Sequence, residues 1–140
     1  MRLSQHFTLE EMIKSQTGAR KGIDNTPGPE VVANLVDLCV NVLEKVRAHF
    51  GKPITVNSGY RCPKLNKAIG GAKNSQHLTG QAADIEISGV DNQLLFAWIR
   101  DNLEFDQLIS EYISPNIPDS GWVHVSWKSS GNRKNVLIVK

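Results

Sequence analysis

The chain changes its hydrophobic periodicity near its middle, and this change limits the folds that it can adopt. Apolar residues recur at helical spacing between about Pro29 and Phe50, at positions 32, 35, 39, 42, 43 and 46. Beyond residue 81, the stretches "AADIEI", "FDQLISEYI", "GWVHVSW" and "NVLIVK" have the character of strands, and only "DNQLLFAWIRDNL" has helical spacing. Helices in the first half and most strands in the second predict an α+β fold, in which helices pack on a mainly antiparallel sheet. We expect the last strand, "NVLIVK", to be antiparallel as well.

Length, composition and charge exclude several classes of protein. The 140 residues contain no repeat and no long linker, so we expect one domain over residues 1–140. Hydrophobic residues make up 40% and charged residues 21%, as in ordinary soluble globular proteins. The formal charge of +2 comes without a basic stripe, and no stretch approaches membrane-spanning length. We expect a monomer that neither binds nucleic acid nor spans a membrane.

The cysteines and the first residues bear on the compartment in which the chain is made. Cys39 and Cys62 form no C-x-x-C pair and no disulfide framework, which favours two reduced thiols. The segment "MRLSQHFTLEEMIKSQ" lacks the apolar core of a signal peptide. We therefore expect synthesis in the cytoplasm, without a signal peptide.

Two histidines and one aspartate are the candidates for a metal site. "SQHLTGQAADI" places His77 and Asp84 seven residues apart, a spacing that does not put them side by side on a helix. A turn at Gly80 would bring the imidazole and the carboxylate to one point. In "WVHVSW", alternation along a strand places His124 on the face opposite the two valines, although a lone histidine there could also be a half-buried sheet residue. Together the three predict a zinc site with one open position, and non-haem iron uses the same ligand types.

A carboxylate near such a site could accept a proton from water. Glu111 shares its strand face with two isoleucines, which is unusual for an ionised group. A hairpin folded about residues 117–118 would place Glu111 roughly opposite His124. The alternative is an edge-strand glutamate that faces solvent. Glu86 competes for the role, because it lies on the same strand face as Asp84.

The remaining candidates are polar residues of two loops. Arg61 follows a buried strand in "NSGYRCPKLN", where a guanidinium could bind a substrate carboxylate or an oxyanion. The alternative is an arginine that pairs with a nearby acid. Tyr60, Ser75 and Gln76 are candidates for contact with the substrate.

The motifs resemble those of a known peptidase family. "SGYRCPKLNKAIGGAKNSQHLTGQAADI", followed by "WVHVSW", resembles the M15 peptidases, specifically the zinc D-Ala-D-Ala carboxypeptidase branch. That family carries S-x-H-x-x-G-x-A-x-D and a later W-x-H. The residues that match are Ser75, His77, Gly80, Ala82, Asp84, Trp122 and His124. The stretch "HFTLEEMIKSQTGARKGIDNTP" is similar to small phage- and prophage-encoded members.

The resemblance implies a fold like that of DD-peptidases and hedgehog signalling domains, and a zinc site. One zinc ion would be held by His77, Asp84 and His124, with Arg61 as the arginine of the site. Several relatives place a catalytic glutamate three residues before the last histidine, and that position here is Gly121. Other relatives use a further histidine near this point, which this chain lacks. Glu111 is the best replacement for the missing base.

The function implied is hydrolysis of peptide bonds that involve D-amino acids in peptidoglycan stem peptides. Zinc-activated water would be the nucleophile, and the enzyme would act as a carboxypeptidase or an endopeptidase. A phage or prophage origin implies delivery to the wall through a holin or the virion. The alternative is a module that binds the cell wall or builds a virion without cutting, since the zinc site of hedgehog domains need not act as a peptidase.

Overall fold

Six α-helices and five strands make up the computed structural model, which describes all residues from Met1 to Lys140. The helices are α1 (Leu9–Ile13), α2 (Gln16–Lys21), α3 (Pro29–Leu38), α4 (Glu44–Phe50), α5 (Pro63–Ala68) and α6 (Asn92–Asn102). The strands are β1 (Thr55–Ser58), β2 (Ala82–Glu86), β3 (Gln107–Glu111), β4 (Trp122–Ser126) and β5 (Asn135–Val139). A π-helical turn (Cys39–Leu43) and a 3-10 turn (Gln76–Thr79) complete the regular structure.

The sheet has the order β1-β2-β4-β3-β5, and the predicted α+β class is confirmed. The first three pairings are antiparallel, whereas β5 pairs in parallel with β3. The expectation that "NVLIVK" joins the sheet in antiparallel fashion is therefore wrong. Residues 127–134 carry the chain back past the start of β3, where Asn135 donates its backbone N–H to the carbonyl of Asp106. Because β5 starts beside the start of β3, the two strands run in the same direction.

The predicted long helix extends over the expected residues, but its hydrogen bonding changes in the middle. Pro29 occupies the first turn, where its missing N–H costs nothing, and Gly51 ends the helix with φ +65°. Between α3 and α4 lies the π-helical turn, which the apolar pattern does not reveal. The apolar stripe is buried against the sheet in one core with residues of β2, β3 and β4.

The N-terminal segment contains two short helices, each with a side-chain cap at its start. Thr8 and Glu11 form a capping box at the start of α1, as their three-residue spacing favours. The helix α2 follows at once, capped by Ser15, whose hydroxyl accepts the backbone N–H of Gly18. None of the helices combines the length and the apolar character that a membrane-spanning segment needs.

The two faces of the sheet have different surroundings. One face carries apolar side chains that are buried in the core: Ala83, Ile85, Leu108, Val123 and Val125. The opposite face carries Asp84, Ile109, Glu111, Trp122 and His124, all of which line one cleft. The alternation of β-strands thus separates a core face from a face that carries chemistry.

Candidate metal centre

A 3-10 turn before β2 presents the first predicted ligand, His77. Ser75 caps this turn, because its hydroxyl accepts the backbone N–H of His77 at 3.1 Å. Gly80 ends it with φ +74°, and a side chain there would collide with Val31. The turn predicted at Gly80 therefore exists, and it turns the chain from His77 into β2.

The strands β2 and β4 present the other two predicted ligands side by side. Asp84 and His124 are directly paired across the antiparallel ladder, with 3.0 Å between Asp84 Oδ1 and His124 Nδ1. His77 Nε2 lies 3.3 Å from the same carboxylate oxygen. One ligand atom of each residue lies within 4.8 Å of those of the other two. Two ligands of a tetrahedral zinc ion are about 3.3 Å apart when each lies about 2.0–2.1 Å from the metal. The cluster has the dimensions of a zinc site.

The hydrogen bonding of His77 suits a metal ligand. Its Nδ1 lies 2.7 Å from the backbone carbonyl of Gly59, so Nδ1 donates the proton of this hydrogen bond. The other ring nitrogen, Nε2, faces the carboxylate of Asp84 at 3.3 Å and is the one that could bind a metal ion. A backbone carbonyl that fixes the far nitrogen is also the usual support of a metal-binding histidine.

The electrostatics of Asp84 suit a metal ligand. Burial raises the pKa of this carboxyl, but the imidazoles of His124 and His77 outweigh burial and hold the pKa well below its usual range. Asp84 is therefore ionised at neutral pH, the state that coordination requires.

Arg61 lies at the edge of the same cleft. Its backbone N–H donates to the carbonyl of His77 at 3.0 Å, which ties the loop after β1 to the ligand-bearing turn. Burial lowers the pKa of the guanidinium, while the charges of Asp84 and Glu111 raise it. The buried Nε has no acceptor within the chain. Because Arg61 lines the cleft, the rest of its guanidinium is a candidate contact for a negatively charged ligand.

Glu111 lines the cleft, but the predicted hairpin register is wrong by two residues. His124 pairs with Ile109, and Glu111 pairs with Trp122. The register differs because Tyr112, with φ +58°, starts a loop with its own turns instead of a simple hairpin. Glu111 is thus a diagonal neighbour of His124, at a spacing of about 7–8 Å between the two positions, which long side chains can bridge. The carboxylate therefore lies in the same cleft as the ligand cluster without being directly paired with it.

Gly121 explains why no glutamate stands three residues before His124. Its φ is +63°, and a Cβ atom there would overlap the backbone carbonyl of Glu111 and the backbone of Tyr112. The backbone directly before β4 therefore leaves no space for a side chain at residue 121. Glu111, on the neighbouring strand, supplies the nearest glutamate of the cleft.

Glu86 lies outside the cleft. Its carboxylate accepts hydrogen bonds from the amides of Asn57 at 2.8 Å and Asn92 at 3.1 Å. It lines a separate surface cavity with Asp91 and Pro118. The structure therefore separates Glu86 from the three predicted ligands.

Two of the three predicted substrate contacts line the cleft. Ser75 and Gln76 do so, and the side-chain amide of Gln76 donates to Asp106 at 3.0 Å. Tyr60 is 8% exposed, belongs to the core and lines a neighbouring cavity beyond Arg61, so the structure does not bring it into the cleft.

Sequence reasoning missed four polar residues at one end of the cleft. They are Asp106, Gln107, Lys128 and Arg133. Asp106 lies directly before β3, whereas Lys128 and Arg133 lie between β4 and β5, so no local motif joins them. The signal in the sequence was the pair of charged stretches "FDQ" and "NRK", which stand at the starts of β3 and β5 and become neighbours only through the topology of the sheet.

Comparison with known proteins identifies relatives of the chain. The family described as Peptidase M15 matches residues 5–126. A zinc D-Ala-D-Ala carboxypeptidase from Streptomyces albus G is 50% identical over 44 residues. This match spans 31% of the present chain and 17% of the Streptomyces protein.

Proposed function

The chain belongs to the Peptidase M15 family, and on this basis we propose that it is a zinc peptidase. Its substrates would be peptide bonds that involve D-amino acids in peptidoglycan stem peptides. The name of the Streptomyces relative supports this substrate class, although the chain matches only 17% of that protein. The resemblance of the sequence motifs to those of M15 peptidases supports the same class of substrate.

One observation carries the proposal: a complete set of reaction components lines a single cleft. The cleft has a volume of about 800 Å³ and contains His77, Asp84, His124, Glu111 and Arg61. Two imidazoles and one carboxylate make a three-ligand set, which in zinc enzymes leaves a position open to water or substrate. A zinc site that served only structure would be closed by a fourth protein ligand.

The chain's own residues would divide the work of hydrolysis. Bound zinc supplies a Lewis acid that polarises a peptide carbonyl and lowers the pKa of water to about 7. Glu111 would accept the proton of the attacking water and pass it to the leaving amine. Arg61, which lines the cleft, would hold a terminal carboxylate or the developing oxyanion with its guanidinium. His77, Asp84 and His124 would hold the ion, with the carbonyl of Gly59 fixing the orientation of the His77 ring.

The position of Glu111 favours an enzyme over a wall-binding module without catalysis. A module would need the ligand set but no carboxylate in reach of the open position. Here Glu111 is half-buried, lines the cleft and is oriented by the indole of Trp122 at 2.8 Å. A glutamate that only faced solvent would need no such partner.

Mass analysis of digested peptidoglycan tests the proposal. Purified peptidoglycan is incubated with zinc-loaded protein, with and without a chelator. We expect new fragments cut at bonds of D-amino acids, which disappear when the chelator is present. Free D-alanine would indicate a carboxypeptidase, and separated cross-links an endopeptidase. Unchanged peptidoglycan in the presence of fully zinc-loaded protein would contradict the proposal.

A further inference from the structure

We propose that Lys128 and Arg133 form a subsite for a carboxylate of the peptide substrate, at the end of the cleft opposite Glu111. The inference rests on the proposed function, because it names a chemical feature of the substrate that the same cleft would take. Both cationic side chains line the cleft that contains the predicted ligands. Neither has a role in the proposed reaction.

The register of the sheet places these cations at a distance from the reacting centre. The floor of the cleft runs along β3 from Gln107 to Glu111, about 13 Å at about 3.3 Å per residue. His124 faces Ile109, at the middle of this floor. The chain then leaves β4 at the Gln107 end and reaches Lys128 shortly afterwards. An extended peptide with its scissile bond near His124 would bring a group about two to three residues away to Lys128.

A buried carboxylate fixes the orientation of Arg133. Asp106 is fully buried, and its Oδ1 accepts the backbone N–H of Arg133 at 3.1 Å and the guanidinium Nε at 3.0 Å. Its Oδ2 accepts Arg133 Nη2 at 2.9 Å and the amide of Gln76 at 3.0 Å. Arg133 Nη1 has no acceptor within the chain, and the side chain is 56% exposed. A guanidinium anchored along one edge presents its free edge as an oriented donor to a second anion.

The local charge at this end of the cleft favours an anion. Lys128 is 40% exposed, and its Nζ lies 4.0 Å from Asp106 Oδ1. Both oxygens of Asp106 are occupied by the four hydrogen bonds that they accept from Arg133 and Gln76. Two cations against one occupied carboxylate leave a net positive charge. At the other end of the cleft, the carboxylate of Glu111 would repel a second anion. A peptide with a carboxylate would therefore bind in the orientation that places this carboxylate beside Lys128.

A matched pair of peptides tests the subsite. The two peptides share one cleavable bond and differ only in a carboxylate or a carboxamide on the residue about three positions from it. For zinc-loaded wild-type protein we expect a KM about two- to fivefold lower for the carboxylate peptide with kcat unchanged, the size of a solvent-screened ion pair. Lys128→Gln should lose this difference, and Lys128→Arg should keep it. Lys45→Gln, which removes an exposed lysine of α4, is the control and should also keep it.

Two results would overturn the subsite. One is equal KM for both peptides with the wild-type protein, and the other is an undiminished preference in Lys128→Gln. Calorimetric titration with the same pair, made non-cleavable by a reduced peptide bond, provides a second readout. If no variant cleaves either peptide, the proposed function has failed, and the titration alone decides the subsite: equal dissociation constants for the two analogues would refute it.

Discussion

Trp122 donates its indole N–H to Oε2 of Glu111 at 2.8 Å, across directly paired positions of β4 and β3. Because the indole is only a donor, this contact fixes one oxygen of the carboxylate as an acceptor. The other oxygen has no partner within the chain, and the residue lines the cleft of the predicted ligands. The strand pairing thus orients the proposed base through a residue that is two positions from a predicted ligand, His124.

Replacing Trp122 by phenylalanine should lower the rate of hydrolysis without releasing zinc. The substitution keeps an aromatic ring and removes the hydrogen bond to Glu111. A hydrogen bond to a charged group contributes about 1.5–3 kcal/mol, so we expect kcat to fall about tenfold or more as the carboxylate reorients. Single-turnover rates and metal analysis of the same sample measure both effects. An unchanged rate would mean that the indole does not position the base.

Replacing Glu111 by glutamine should separate the base from the ligands. The amide keeps the size of the side chain but cannot accept the proton of water. We expect zinc to stay bound and the rate to fall by roughly 10²–10⁴-fold, the usual contribution of general acid–base catalysis.

Glu86→Gln is the matched comparison for this variant, because it removes a carboxylate that lies outside the cleft. We expect its rate to remain close to that of the wild type. A large loss in Glu86→Gln, with none in Glu111→Gln, would transfer the role to Glu86. Release of zinc from Glu111→Gln would make Glu111 a ligand.

Replacing His77 by alanine should weaken zinc binding. Loss of an outer-shell partner already costs about 10–100-fold in metal affinity, so loss of a ligand should cost more. Competition with a chromophoric chelator measures the zinc affinity of the folded protein. His49→Ala is the control, since His49 is an exposed residue stacked on Trp98 and lies outside the cleft. Equal zinc affinity of His77→Ala and wild type would remove His77 from the ligand set.

Asp106 should make the stability of the fold depend on pH in acid. Hydrogen bonds from Arg133 lower the pKa of this carboxyl from its usual 3.8. A lowered pKa stabilises the folded state above the pKa of the unfolded chain, and this contribution disappears as pH falls through the lower, folded-state pKa. We expect Asp106→Asn to be less stable at pH 7 by about 1–3 kcal/mol, with the difference shrinking below about pH 4.

Urea unfolding between pH 7 and pH 3 measures this difference. Asp119→Asn removes an exposed carboxylate of the loop before β4 and controls for the change in net charge. A difference between wild type and Asp106→Asn that stayed constant over the whole range would show that the ionised carboxylate is not what stabilises the fold.

The sequence predicts those parts of the site that depend on short-range rules. The turn at Gly80 brings His77 to Asp84, because a glycine with positive φ ends the 3-10 turn directly before β2. Strand alternation then places His124 on the same face of the sheet as Asp84.

Other parts of the site depend on contacts between distant segments and could not be predicted. The register of Glu111 depends on the irregular loop between Tyr112 and Gly121, whose two positive φ values shift the pairing by two residues from the simple hairpin. The contact between Asp106 and Arg133 exists because β5 returns parallel to β3, a matter of topology rather than of local pattern.

A zinc titration of the hydrolysis rate tests the central claim, that one ion held by His77, Asp84 and His124 makes this chain a peptidase. Metal-free protein is supplemented with increasing zinc, and the initial rate of peptidoglycan or stem-peptide cleavage is recorded at each step. We predict no cleavage without zinc and a linear rise that stops at about one equivalent of zinc, as a single three-ligand site requires. Cleavage that is already complete without zinc, or no cleavage at full zinc occupancy, would contradict the account.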